Sequence, residues 1–154
     1  MRKPHLTVAL AAFVFAHSAF AQKPGGTLHM PHPDSPGSMS ILEESTINTL
    51  APMMGVFNNL VMFDQHVAQN SLRSIVPDLA ESWSLDDAKT MLTFKLRHGV
   101  KWHDGKPFTA ADVKCTWDLM MGLGDDKLRV NPRKNWWGNL DKVVVNGDDE
   151  VAFS

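Results

Sequence analysis

Histidine and aspartate stand side by side at His103 and Asp104, in the stretch WHDGKPFTAADV, and such a pair can hold a metal ion or move a proton. Either chemistry needs the pair on a rigid element, with further ligands or a nucleophile close by. Here Gly105 follows directly, and an Asp-Gly dipeptide is typical of a tight turn. We therefore predict that the pair forms the polar corner of a turn and does no chemistry.

The other residues with metal or redox chemistry lead to the same prediction. His29 and His32 are three positions apart, but Pro31 lies between them, which disfavours the helix on which this spacing shares a metal. Cys115 is the single cysteine, so the sequence forms no internal disulfide and the thiol is expected to be buried and inert. No nucleophile elbow, phosphate-binding glycine loop or paired-cysteine zinc motif occurs. We predict no catalytic residue, no metal site, no cofactor and no enzymatic activity.

The first 21 residues have the three-part pattern of a secretory signal peptide. A basic pair, an apolar run of ten residues and small residues follow in that order, and cleavage is expected between Ala21 and Gln22. The apolar run is too short for a membrane-spanning helix, which needs about 20 residues. Gln22 is not the cysteine to which a bacterial lipoprotein attaches its lipid. We expect a periplasmic mature chain, 22–154, without a membrane anchor; a buried N-terminal helix is the alternative.

The composition is typical of a soluble globular protein, with 44% hydrophobic and 21% charged residues. Once Arg2 and Lys3 are removed with the signal peptide, 13 basic residues remain against 17 acidic ones, a formal charge of −4. With this excess of acidic residues, the sequence does not predict the basic surface that nucleic-acid binding needs. We therefore expect no nucleic-acid partner.

Hydrophobic periodicity predicts a mixed α/β chain (α+β in its arrangement) whose strands and helices position these residues. The last strand has few residues, so we expect it to be incompletely paired and this chain alone to be marginally stable. The predicted elements are a strand at 27–30, a loop at 31–38, a helix at 41–60 that Pro52 kinks, strands at 60–63, 79–83 and 91–97, a helix from Thr109 to Gly122, and strands at 140–145 and from 150 onward.

Four segments occur in a characteristic order: GGTLHM, FNNLVMFD, then IVPDLAESWSLDDAKTMLTFKLRHGVKWHDGKPFTAADV and VVVNGDDEVAFS. In this combination the chain resembles the N-terminal part of the family 5 extracellular solute-binding proteins, the periplasmic dipeptide, oligopeptide and nickel receptors of ATP-binding cassette (ABC) importers. Pro77–Val113 is the most specific part. The resemblance implies a two-lobed periplasmic-binding-protein fold that closes by a hinge. This chain would supply the start of lobe one and its β-rich subdomain, and most of the second lobe would be absent.

The resemblance also implies a function without chemistry. Such a receptor reversibly captures a peptide or a similar small solute and delivers it to the permease subunits of the importer. The alternatives are a nickel-chelate or haem receptor of the same family, a secreted hydrolase, and a nonfunctional truncated product. In peptide receptors of this kind, the acid that meets the amino terminus of the ligand lies outside this segment, so ligand identity does not carry over.

Within this chain, the loop after the first predicted strand and the start of the next helix are expected to line the cleft. Free N–H groups at that helix start could meet a carboxylate. The neighbouring tryptophans Trp136 and Trp137 cannot both face one core from a strand, so one is expected to contact ligand or the other lobe. Solvent-facing loops and packed aromatic rings are the alternatives. The candidate ligand-binding residues are Asp34, Ser38, Met39, Glu44, Thr46 and Trp137.

Overall fold

A computed structural model describes residues 25–27 and 29–154. The predicted signal peptide and its cleavage site therefore lie outside the described residues. Contacts divide the chain between Pro31 and His32. Every helix and strand described below belongs to the second of these parts.

In chain order the helices and strands are α1 (Ile47–Met53), β1 (Val61–Phe63), β2 (Ile75–Pro77), β3 (Ala80–Leu85), β4 (Leu92–Leu96), α2 (Ala110–Met121), β5 (Val143–Val145) and β6 (Glu150–Phe153). Two short 3-10 turns, Leu72–Ser74 and Lys134–Trp137, complete the set. The prediction of a strand at 27–30 is wrong, because the described residues of that stretch have no strand geometry.

A four-stranded antiparallel sheet carries the core, in the order β3-β4-β6-β5. β3, the strand predicted at 79–83, is an edge strand. β6 lies between β4 and β5 and pairs with both, with Val151 opposite Phe94 on one side and opposite Val145 on the other. The expectation of an incompletely paired last strand is therefore wrong: these four residues form a central strand of the sheet.

Burial alternates along the second half of β4. Phe94 and Leu96 are buried on the face that α2 covers, whereas Lys95 is exposed on the other face. Lys95 pairs there with Glu150 of β6 at 3.0 Å between Nζ and Oε2. The core cluster consists of Ala80, Phe94, Leu96, Ala110, Val113, Val143 and Val151.

Thr109 and Gly122, the predicted bounds of the helix, are the residues that cap α2. At its start, the Asp112 carboxylate accepts hydrogen bonds from the Thr109 backbone N–H at 2.8 Å and from its hydroxyl at 3.1 Å. At its end, Gly122 adopts the left-handed conformation, with φ 75° and ψ 29°. Glycine takes this conformation without the steric cost that a Cβ would add. Cys115, on the same helix, is exposed, so the expectation of a buried thiol is wrong.

The His103–Asp104 pair lies in a turn, as predicted. Gly105 has φ 86°, and the Trp102 N–H donates to the Lys106 carbonyl at 2.8 Å across the turn. The Asp104 carboxylate accepts from the Lys106 backbone N–H at 3.0 Å, and this hydrogen bond is the main cause of a lowered Asp104 pKa. The aspartate therefore stabilises the turn.

The predicted helix at 41–60 is only α1, seven residues long. Pro52 has no N–H to donate to the Asn48 carbonyl, and that carbonyl instead accepts from His32 Nε2 at 2.8 Å. The apolar stripe that suggested a long helix is open to solvent, with Ile47 and Met54 67% and 73% exposed. Because most helical stability comes from packing, a stripe without a packing partner does not extend the helix.

Candidate ligand-binding site

Residues 38–46, which we call the binding loop, bring two of the predicted residues together. The Ser38 hydroxyl donates to the Glu44 carboxylate at 3.2 Å and accepts from the Ser40 N–H at 3.2 Å. Gly37 leaves room for this fold, because a Cβ there would lie 3.2 Å from Glu44 Oε1. Ser38 and Glu44 thus form one polar cluster.

The start of the loop is a single tight turn that does not continue into α1. The N–H groups of Glu43 and Glu44 both donate to the Ser40 carbonyl, at 3.2 and 3.0 Å. These two N–H groups are therefore not available to a ligand carboxylate, and a contact of the ligand with the N–H groups of Ser45 and Thr46 stays a prediction. Thr46 precedes α1 as its N-cap, but its side chain makes no capping hydrogen bond and the residue is exposed.

The two neighbouring glutamates have different surroundings. The Glu43 carboxylate accepts from the Arg129 side chain at 2.8 Å (Nη2) and 3.1 Å (Nε), and from the Arg129 backbone N–H at 2.6 Å. The side-chain bond to Arg129 is the main cause of a Glu43 pKa below its ordinary value. Among the described residues, no ion pair involves Glu44. Glu44 is thus the glutamate left for a ligand.

A second arginine holds the loop by its backbone. Arg133 donates from Nη1 to the Ile41 carbonyl and from Nη2 to the Glu44 carbonyl, each at 2.7 Å. Its guanidinium carbon also lies 5.8 Å from the centre of the Trp136 ring, within the range of a cation–π contact. Both arginines were missed in the sequence, because no periodicity or motif links positions about 90 residues apart.

Only one of the adjacent tryptophans is open to solvent, and it is Trp136, at 69% exposure. Trp137 is half-buried, with its ring 4.6 Å from the Trp117 ring in an edge-to-face arrangement. The indole nitrogen of Trp137 is buried without a hydrogen-bond partner in the described structure. A ligand contact for Trp137 stays a prediction, and Trp136 offers the more accessible ring.

Asp34 and Met39, the remaining predicted residues, form no side-chain hydrogen bond with Ser38 or Glu44 in the described structure. The Asp34 carboxylate accepts from the neighbouring Ser35 N–H at 2.8 Å, and Met39 is 63% exposed.

Within the described part of the chain, no group of three His, Cys, Asp or Glu side chains could hold a metal ion. None of the helices in residues 29–154 is long and apolar enough to cross a membrane.

The site therefore combines a carboxylate and a hydroxyl, and Arg133 links this cluster to an exposed aromatic ring. Glu44 offers a hydrogen-bond acceptor, Ser38 offers a donor and acceptor, and Trp136 offers a flat apolar face. Such groups can bind a polar organic solute by non-covalent contacts.

Comparison with known proteins gives this chain a family. Residues 74–154 match the model of the bacterial extracellular solute-binding proteins, family 5 (middle region). A Brucella ovis protein that carries the name of an ABC transporter peptide-binding protein is 36% identical over 128 residues, which cover 77% of this chain. The chain spans only 22% of the length of that relative.

Solved structures agree with this fold. The oligopeptide-binding protein AppA of Bacillus subtilis, in complex with a nonapeptide, superposes with a TM-score of 0.59 at 26% identity, over 73% of this chain and 20% of that one. NikZ of Campylobacter jejuni, in complex with Ni(L-His), superposes with a TM-score of 0.50 at 27% identity, over 64% of this chain and 18% of that one. The architecture is therefore part of a two-lobed periplasmic-binding-protein fold, and the chain belongs to the bacterial extracellular solute-binding proteins of family 5.

Proposed function

We propose that the protein is the periplasmic substrate-binding component of an ABC importer that reversibly captures a peptide and delivers it to the permease. The family match over residues 74–154 carries this proposal, together with the peptide-binding name of the 36% identical relative. Export by the predicted signal peptide, absence of catalysis and contact with permease subunits are parts of the same proposal. Because the chain spans 22% of that relative, the activity is proposed for the whole protein.

The geometry of the binding loop supports a peptide ligand. A peptide presents main-chain N–H groups, which donate hydrogen bonds, and the Glu44 carboxylate forms no ion pair with a described residue. The Ser38 hydroxyl lies beside it, and Trp136 could cover an apolar side chain. We keep Asp34, Met39, Thr46 and Trp137 with Ser38 and Glu44 as proposed contact residues.

A nickel chelate is the second candidate, because NikZ, one of the similar structures, holds Ni(L-His). In this candidate the small molecule would bring its own metal ligands. The binding loop would then contact the organic part of the chelate rather than the metal.

The test is thermal denaturation of the protein expressed from its complete open reading frame, with panels of dipeptides and nonapeptides and with Ni(L-His). A ligand that binds only the folded state, present at 100 times its Kd, adds about 2.7 kcal/mol of stability and raises the melting temperature. We expect a peptide to do so and Glu44→Gln to weaken its binding. Asp87→Asn, in the exposed turn between β3 and β4, is the matched control and should bind as wild type. A shift with Ni(L-His) and none with peptides would replace the first candidate by the second.

A further inference from the structure

We propose that Arg133 is a positioning residue of this site, which holds the binding loop in the shape that ligand binding requires. This inference rests on the proposed function. Arg133 acts through the backbone of the loop and need not touch the ligand itself.

The first observation concerns the hydrogen bonding of two carbonyl groups in the binding loop. The turn at Ser40–Glu44 ends before α1 begins, so the helical ladder is interrupted between them. In the described chain, no backbone N–H donates to the carbonyl of Ile41 or of Glu44. Carbonyl groups left in this way need donors from side chains or water. Arg133 supplies one donor to each, at 2.7 Å.

The second observation is the suitability of an arginine for this task. The guanidinium is planar, always charged and rigid, so two of its N–H groups can fix two acceptors at once. Arg133 is partly buried, whereas Arg129 is 74% exposed at its side chain. Hydrogen bonds from a charged donor are stronger than neutral ones, and partial burial reduces the competition from water.

The third observation is that Arg133 is itself anchored. Just before it, the Asn131 side-chain amide donates to the Met120 carbonyl near the end of α2, at 2.7 Å. Just after it, Trp137 packs against Trp117 of the same helix. Since α2 covers the core of the sheet, Arg133 connects the binding loop to the most buried part of the chain.

The consequence concerns Glu44, which Arg133 contacts at the backbone carbonyl and not at the carboxylate. The main chain of Glu44 is fixed while its carboxylate bonds only to Ser38 in the described structure. The binding of a ligand to this carboxylate then costs little conformational entropy in the loop, because the loop is already ordered. Without Arg133, binding would have to order the loop first.

The test compares four variants of the protein from its complete reading frame, by amide hydrogen exchange and by calorimetric titration with the peptide panel and Ni(L-His). Arg133→Met removes both donors and keeps the apolar stem, whereas Arg133→Lys keeps a charged donor. Arg129→Met is the matched control, because Arg129 holds a side chain of the loop and not its carbonyls. Glu44→Gln changes the carboxylate and leaves the carbonyl in place.

We expect Arg133→Met to speed exchange of the amides at 40–46 about tenfold, and to weaken binding about tenfold, which corresponds to about 1.4 kcal/mol. Exchange in β4 and β6 should not change, which shows that the chain remains folded. Arg133→Lys should recover part of both losses, and Glu44→Gln should weaken binding without speeding exchange. Arg129→Met should leave the exchange of the amides at 40–46 close to that of wild type.

Two results would overturn the positioning role while leaving the proposed function intact: unchanged loop exchange in Arg133→Met, or faster exchange with unchanged affinity. If Arg133→Met also speeds exchange throughout β4 and β6, Arg133 supports the whole fold and the specific role is wrong. A wild-type protein that binds none of the probes overturns the proposed function, and the positioning role with it.

Discussion

Replacing Trp137 with alanine should lower the free energy of unfolding by about 3 kcal/mol, whereas Trp136→Ala should lower it by less than about 0.5 kcal/mol. A tryptophan buries at least about 150 Å² in a packed site, which at about 25 cal/mol per Å² contributes about 4 kcal/mol. The edge-to-face contact with Trp117, at 4.6 Å, adds about 1 kcal/mol. The buried indole N–H has no hydrogen-bond partner among the described residues, which offsets about 2 kcal/mol of this gain. Trp136 is 69% exposed, so its truncation to alanine removes little buried area.

The assay is urea denaturation of this chain, followed by far-ultraviolet circular dichroism because tryptophan fluorescence would itself change with the substitutions. The two variants change the same residue type at neighbouring positions, so each serves as the control for the other. Equal losses of stability would refute the assignment of Trp137 to packing and Trp136 to the surface. A larger loss for Trp136→Ala would reverse it.

Three further predictions follow from the fold and the loop. Val151→Ala should lower the free energy of unfolding by about 2.5 kcal/mol, because two methylene-sized groups are removed from a fully buried site. Val144→Ala, at a site 38% exposed, should lower it by about 0.5 kcal/mol. Urea denaturation measures both, and similar values would contradict the central place of β6. The pKa of Glu43 is lowered from its ordinary value of 4.5 by its arginine partner, so its contribution to stability is present above that value and is lost as the pH falls through the lowered pKa. The stability difference between wild type and Glu43→Gln should therefore shrink on acidification; a constant difference across an acid titration would contradict the pairing. His103→Ala should change solute affinity of the complete protein by less than about 0.5 kcal/mol in calorimetry, and a loss of binding by a folded variant would restore a role in the site.

Local chemistry in the sequence predicts the parts of this fold that short-range forces decide. The cap of α2 needs only Thr109 and Asp112, three residues apart, and its end needs only Gly122. The Asn146-Gly147 dipeptide predicts the hairpin between β5 and β6 in the same way, and Gly147 has φ 73°. Each of these signals is complete within a few residues.

The rest depends on partners that lie far away in the chain. The apolar stripe around Ile47 predicts a long helix only if something covers it, and in the described structure it is exposed. The strand at 150–153 becomes central only because β4 pairs with it as well as β5. The candidate site shows the same limit. Ser38 and Glu44 were predicted from their loop, but Arg133 reaches that loop from 89 positions beyond Glu44.

The central place of β6 has a consequence for synthesis on the ribosome. Phe94 of β4 pairs with Val151, which emerges 57 residues later, and at about 5–20 residues per second this delay is about 3–11 s. During that interval β3 can already pair with β4, but the other edge of β4 presents unpaired N–H and C=O groups beside apolar side chains. Such an edge is a template for aggregation. It is the edge that a chaperone would have to cover until β6 arrives and closes the sheet.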